Sequence, residues 1–219
     1  MIDARGNRSA LVRAYNLFSL LYGSTAARLE REGVTRGLAR ARIQPGEHVL
    51  EVAVGTAAVH TRLRQRLSAH GLLVGVDFSS GMLRATRKRM PKARLAQADA
   101  RALPFPADGF DLLWASYLLD LIPTEELTPL LEEFRRVLRP GGRLLLVNFS
   151  KDSEKLIWWE RLYQLTPTFL VPWLFAGCRP IQAAPFVRAA GFVGVEREYL
   201  AGGFNSEIIT ARKLSEEKN

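Results

Sequence analysis

The sequence predicts an α/β fold, a doubly wound, mostly parallel seven-stranded sheet with N-terminal helices and a helical insert after strand 5. Three observations predict it. Apolar, strand-like runs alternate along the chain with segments of helical period. The first run, VLEVAVGTA at 49–57, opens into a turn of small residues. The next ends in an acid, Asp77, close to the spacing of about 20 residues at which doubly wound sheets hold an adenosine. Strands joined by crossover helices place the ligand at the carboxyl ends of the strands.

Before the sheet, Leu11, Tyr15, Phe18 and Tyr22 recur at helical spacing, with Arg8, Arg13, Asn16 and Ser19 on other faces. Gly23 closes that helix, and Ser24 is placed to cap a second one running through Ala26 and Leu29 towards Leu38. Gln44-Pro45-Gly46 is a turn. Val49, Leu50, Val52 and Val54 read as a strand buried on both faces. Large side chains at Ala53, Gly55, Thr56 or Ala57 would keep a ligand off the main chain. Val59, Leu63 and Leu67 stripe a helix expected over 58–69. Leu72–Val76 is the second strand, ending at Asp77, where a carboxylate can accept from ribose hydroxyls or cap the next helix, expected over 82–89. Residues 93–100 read as a third strand ending in Asp99, placed to accept from an adenine amine. Phe78, Met82, Ala100 and Ala115, beside these strand ends, complete the expected cofactor site. Phe110–Ser116 is the fourth strand. A helix over 125–138 follows, closed by Arg139-Pro140-Gly141-Gly142, and the fifth strand covers 143–147 and ends at Asn148. A helix over 181–190 and strands over 192–200 and 205–212 finish the fold. The tail LSEEKN is expected to fray.

The 219 residues, 47% of them hydrophobic, suit a single domain: a helical lid over 1–43, a cofactor core over 48–149, an insert over 150–180 and a closing unit over 181–213. One cysteine, Cys178, forms no internal disulfide, and the N-terminus lacks a signal peptide's apolar core; the expected location is cytoplasmic. Net charge is +9, of which residues 1–42 supply +5. Such charge favours anionic partners or is simply a solvated basic face.

The ordered phrases VLEVAVGTA, VGVDFSSGML, QADARALPFPADGFD and VLRPGGRLLLVNFS resemble the class I S-adenosylmethionine-dependent methyltransferases. The likeness is nearest to the ubiquinone and menaquinone biosynthesis C-methyltransferases and the bacterial phospholipid N-methyltransferases. It implies a Rossmann-like sheet whose last strand runs antiparallel, S-adenosyl-L-methionine as cofactor, no metal, and roles for Glu51, Gly55 and Asp77 in holding that cofactor. Ala53 and Ala57 stand where the family has glycines, and alanine is expected to keep φ negative there. A nicotinamide dinucleotide fits poorly, because the third glycine of its motif falls on Ala58 and because Glu51 suits an ammonium better than a pyrophosphate.

No strong general base announces itself: His48, His60 and His70 read as structural or exposed. Tyr15 and Tyr22 resemble the paired N-terminal tyrosines of the lipid and quinone enzymes, and Tyr117 and Asn148 are placed to reach or orient an acceptor. For all four, core packing is the competing reading. The insert SKDSEKLIWWERLYQLTPTFLVPWLFAGCRP is interrupted too often to span a membrane, which takes about 20 apolar residues. It buries Trp158, Trp159 and Trp173 as an ordinary cap, or forms a lid or interfacial surface. With the N-terminal helix it suggests a small, lipophilic acceptor, a quinone precursor or phospholipid amine headgroup, met by peripheral contact with an anionic membrane. Removing residues 1–14 is then expected to leave the fold intact. A nucleic-acid methyltransferase would account for the charge, but Ala115-Ser116-Tyr117-Leu118 stands where amino-group enzymes carry an Asn/Asp-Pro-Pro-aromatic motif. A non-catalytic S-adenosylmethionine-binding protein is the other alternative.

Overall fold

The computed structural model describes residues 2–4, 8–18, 30–152, 158–202 and 204–215; Tyr22, Gly23, Ser24, Ala26, Leu29 and the last four residues lie outside them. Helices α1 (Arg8–Phe18) and α2 (Arg31–Arg40) precede β1 (His48–Val52), α3 (Ala58–Arg64), β2 (Leu72–Asp77), α4 (Ser80–Arg89), β3 (Arg94–Gln97) and β4 (Phe110–Ser116). Then come α5 (Leu127–Val137), β5 (Leu138–Phe149), the insert helices α6 (Trp158–Leu165) and α7 (Val171–Leu174), α8 (Ala184–Ala189), β6 (Phe192–Leu200) and β7 (Ser206–Lys213). The seven strands form one sheet in the order β3-β2-β1-β4-β5-β7-β6, with β7 antiparallel to both neighbours. The order reverses between β1 and β4, so a crevice opens at their carboxyl ends.

Period-two alternation sorts side chains onto the two faces. Leu50, Val52, Leu113, Ala115, Leu144 and Leu146 pack on one side with Leu127, Leu130, Phe134 and Val187 of α5 and α8. Val49, Leu112, Trp114, Leu145 and Val147 pack on the other with Val34, Leu38, Val59 and Leu63 of α2 and α3. Helix α2 is therefore part of the core rather than of a lid. Its glycines allow this: a Cβ on Gly33 would come within 2.8 Å of Tyr117 Oη, and one on Gly37 within 2.8 Å of Trp114.

Several boundaries differ from the sequence reading. Helix α3 stops at Arg64, whose guanidinium takes the carbonyls of Leu67 (2.9 Å) and Gly71 (3.1 Å) and draws the following residues into turns. The third strand ends at Gln97, leaving Asp99 two residues beyond it. Arg139–Gly142 is not a loop: Leu138 already pairs with Phe110, and the register shifts before Leu112 meets Arg143, so the segment is a bulge within β5. Helix α8 begins at Ala184 with Pro185 in its first turn, while Ile181 bridges Ser150.

The insert is tied down by buried polar contacts. Lys151 Nζ lies 3.0 and 3.1 Å from the Glu160 oxygens, both groups buried. Glu207, fully buried on β7, accepts from Asn148 Nδ2 (3.2 Å), Ala183 N (2.8 Å) and Arg197 Nε (2.6 Å).

Candidate cofactor and acceptor site

A cavity of about 440 Å³ lies at the carboxyl ends of β1, β2 and β4. It brings together Tyr15, Glu51, Ala53, Gly55, Thr56, Asp77, Phe78, Met82, Asp99, Ala100 and Tyr117. Two sequence candidates are not brought there. Ala115 is fully buried in mid-sheet, paired with Val52 and Leu146, and its methyl packs in the core while Ser116 takes its place at the rim. Asn148 shares the parity of Leu144 and Leu146 and donates to Glu207, so its side chain serves the insert's base instead. Tyr22 lies outside the described residues.

The floor is the loop after β1. Contrary to expectation, the two alanines do not keep φ negative: Ala53 has φ +62° and Ala57 +69°, with Gly55 at +56° between them. For a residue with a Cβ the left-handed region costs about 1–2 kcal/mol, so other contacts must impose it. Those contacts are visible. Val54 N donates to Val76 O (3.0 Å) and Gly55 N to Asp77 Oδ2 (2.9 Å); Thr86 Oγ1 donates to Gly55 O (2.7 Å) and Arg89 Nη1 to Thr56 O (3.1 Å).

Asp77 stands at the centre of this web. Its Oδ1 accepts from Ser79 N (2.8 Å), while Ser79 itself caps α4 by accepting from Met82 N (3.1 Å), so Asp77 is not the cap. Burial pushes the Asp77 carboxyl up despite the backbone donors at Ser79, Gly55 and Phe78. Each oxygen takes one of these N–H groups, and a carboxylate offers about four acceptor sites. With Phe78 as the third backbone donor, capacity for one further hydroxyl donor remains. Asp99 Oδ1 accepts from Arg101 N and Nε, both at 3.1 Å, and Arg101 also pairs with Glu126. Glu51 is buried in the cavity wall, its Oε2 2.7 Å from His60 Nδ1, and burial pushes its carboxyl up. Three carboxylates and a backbone-lined loop fit a cationic nucleoside bearing an amino-acid tail.

The roof comes from the N-terminus. Asn16 Oδ1 of α1 accepts from Ser79 Oγ (2.7 Å) and Gly81 N (2.9 Å), and Tyr15 Oη donates to Ala176 O (3.1 Å). Leu11 and Tyr15 face the cavity, so they are used for covering it and not for entering a bilayer. Ala14 is fully buried, and Ile2 packs with Tyr163, Val171 and Phe175 of the insert. Of residues 1–14, Ile2 and Ala14 are thus packed against the rest of the fold, so their removal would bare apolar surface.

Opposite the floor, Tyr117, Leu118, Leu121 and Ile122 line the wall. Tyr117 has φ +51°, its Oη lies 3.0 Å from Ser206 Oγ, and burial pushes its phenol well up, which makes it a hydrogen-bond donor and not a base near neutrality. Behind this wall lie groups the sequence reading passed over. Asp120 is fully buried; among the described residues neither oxygen meets a nitrogen or oxygen donor, the Cys178 thiol is its near neighbour, and burial pushes its carboxyl up to about 6. Arg179 Nη2 donates to Ile122 O (2.6 Å), while its Nε and Nη1 have no partner among the described residues. Asp120 and Arg179 lie far apart in sequence, so no spacing could have announced them; Asn16 and His60 were visible only as polar positions on helices.

The family model of the methyltransferase domain matches residues 49–142. Over that stretch, from β1 to the bulge of β5, the chain is similar to methyltransferase domains. The ubiquinone/menaquinone biosynthesis C-methyltransferase UbiE of Teredinibacter turnerae is 32% identical over 136 residues, 59% of this chain and 53% of that protein. The chain thus spans about half the length of the curated relatives it matches. Phosphoethanolamine N-methyltransferase 2 of Haemonchus contortus, solved with S-adenosyl-L-methionine, superposes with a TM-score of 0.68 at 16% identity, covering 84% of this chain and 53% of that one. The cyclase SpnF superposes with a TM-score of 0.66 at 20% identity, covering 83% and 80%. At these identities the structural likeness is one of fold, and a cyclase among the neighbours shows that the fold alone does not set the reaction. The cofactor of this domain class is S-adenosyl-L-methionine. Among the described residues no helix is long and apolar enough to cross a membrane.

Proposed function

We propose that the chain methylates a small lipophilic acceptor, a quinol-type ring rather than an amine headgroup, taken from a lipid surface. The observation that carries this is the chemical split of the cavity: carboxylates and a backbone loop on the floor, and Leu11, Leu118, Leu121 and Ile122 with the phenols of Tyr15 and Tyr117 on the acceptor side. An apolar wall with two phenol oxygens, which can still accept while bonded to Ala176 O and Ser206 Oγ, suits a ring whose hydroxyls donate. The likeness to UbiE proteins supports the same class of acceptor.

In this reading Asp77 holds a ribose hydroxyl, Asp99 the adenine amine and Glu51 the amino-acid ammonium, with Ala53, Gly55 and Thr56 offering main chain, and Phe78, Met82 and Ala100 packing the base. Bound there, the cofactor supplies an electrophilic methyl group. Tyr15 and Tyr117 orient the acceptor, and α1 excludes water.

The lipid surface is supported by the insert. Trp158, Leu162 and Leu165 share the outer face of α6 with Arg161, and Phe169, Trp173 and Leu174 continue it; Leu165 is 82% exposed and Trp158 71%. Large apolar residues so placed beside a cationic one suit an interface. Nucleic acid is a less apt partner, because Arg36 and Arg40 of the basic N-terminal segment are engaged by Glu198 and Glu196 of β6.

The test is to supply S-adenosylmethionine with a demethylated quinol or with phosphatidylethanolamine, each in vesicles, and to measure S-adenosylhomocysteine. Turnover with the quinol alone is expected. Turnover with the amine lipid alone would reverse the choice of acceptor, and none with either, despite cofactor binding, would favour a non-catalytic binding protein.

A further inference from the structure

We propose that His60 is a positioning residue that holds a proton jointly with Glu51 and gives it up when the cofactor's ammonium enters, so that cofactor binding is coupled to proton release. The inference rests on reading the cavity as the S-adenosylmethionine site.

The geometry is specific. Glu51 and His60 are each only 1% exposed, and Glu51 Oε2 lies 2.7 Å from His60 Nδ1. The imidazole sits against bare backbone of β2, where a Cβ on Gly75 would come within 3.1 Å of its Cε1, so the ring has a fixed seat. His60 is on α3, directly after the left-handed loop, and Glu51 is on β1 in the cavity wall. The charged groups that act on Glu51 are His60 from α3 and Asp77 from β2.

A buried carboxylate beside a second carboxylate is unfavourable, and burial is what pushes the Glu51 carboxyl up. With one proton shared, the pair is neutral whether the proton rides on the imidazole or the carboxyl. A cation at Glu51 reverses the preference. The singly negative pair, with ionised Glu51 and neutral His60, then complements the ammonium, and the shared proton leaves to solvent. By linkage, affinity rises with pH wherever the free pair still holds the proton and levels off above that range.

Calorimetric titration of the full chain with S-adenosylmethionine, in two buffers of different ionisation enthalpy, counts the protons. The range runs from about pH 5.5 to about pH 7.5, below the titration of a free α-amino group near about 7.7–8.0. The wild type is expected to release close to one proton at the low end, with affinity rising by up to about tenfold per pH unit. S-adenosylhomocysteine, which keeps the ammonium but lacks the sulfonium, should release the same number. His60→Gln, which keeps a neutral donor towards Glu51 but leaves the carboxyl as the one seat for the proton, should confine release to the acid end of the range and flatten the profile above it; His60→Asn serves if that variant does not fold. Wild-type binding without proton release overturns the inference, as does an unchanged release and pH slope in the folded His60 variant. Failure of the wild type to bind either compound would overturn the cofactor assignment itself, which separates the two outcomes.

Discussion

Around the loop after β1 the polar groups are partnered one by one: Gly55 N on Asp77, Gly55 O on Thr86, Thr56 O on Arg89, Glu51 on His60. Across the cavity, Asp120 and Arg179 lie fully buried with four side-chain atoms that meet no nitrogen or oxygen partner among the described residues, and the insert beyond them turns large apolar side chains to solvent. Buried polar atoms without partners cost free energy that satisfied ones do not. The floor is therefore fixed by its own bonds, whereas the wall across the cavity departs from ordinary packing both inside and out. Such departures gather at sites of function.

The insert gives the largest expected effect. If its outer face enters the acyl boundary, each large apolar side chain contributes on the order of 1.5–3 kcal/mol. Replacing Leu165 and Phe169 together with glutamate should lower partition onto anionic vesicles by at least about a hundredfold, since a factor of ten is about 1.4 kcal/mol. Cosedimentation measures it, and circular dichroism checks that α6 survives. Equal sedimentation of variant and wild type would leave the exposed face without a lipid role.

Asp120 allows the contrast to be tested by pH. Its carboxyl is raised from 3.8 to about 6, chiefly by burial. Between those values the native state binds more protons than the unfolded one, so stability falls as pH rises through the window, and the whole cost is present at neutral pH. At about 1.4 kcal/mol per unit, Asp120→Asn should be more stable than wild type by up to about 3 kcal/mol at neutral pH and by little near pH 4. Urea unfolding at both pH values is the check. A difference that does not depend on pH would mean that the carboxylate is already compensated.

On the floor, Asp77→Ala removes the acceptor for Gly55 N and Ser79 N as well as for a ribose. Hydrogen bonds to charged groups are worth about 1.5–3 kcal/mol, a tenfold to hundredfold loss of S-adenosylmethionine affinity. Unchanged affinity by calorimetry would remove Asp77 from the cofactor site.

How much could be read in advance follows the same divide. Glu51, Gly55 and Asp77 were legible because strand period and loop spacing fix them locally, and the cavity gathers all three. Asn148 was misplaced because a residue at the end of a strand can serve either face, and only the packing of β7 and α8 decides which. The apolar stripe of α1 was legible but its partner was not: Leu11 and Tyr15 meet the cavity instead of a bilayer because Asn16 docks α1 on the start of α4. The contact between Asp120 and Cys178 depends on the chain returning after the whole of β5 and the insert, which no local pattern encodes. The left-handed alanines were hidden for a different reason. Alanine avoids that region on its own, and here the web of bonds around Asp77 and Thr86 imposes it.

That last point yields the smallest effect and the finest test of the floor. Glycine at 53 or 57 relieves the left-handed strain, about 1–2 kcal/mol, but adds unfolded-state entropy worth about 0.4–1 kcal/mol. The two sites differ in what the methyl touches: Ala57 is fully buried and Ala53 is not. Deleting a buried methyl forfeits about a further 0.8 kcal/mol. Ala53→Gly should therefore stabilise the protein by up to about 1.6 kcal/mol, whereas Ala57→Gly should be close to neutral, given those opposing magnitudes. Thermal and urea unfolding of the two single variants, side by side, decide it. If Ala57→Gly proves the more stabilising, the strain at its φ of +69° exceeds what the packing of its methyl returns, and the loop is held more tensely at the start of α3 than at the end of β1.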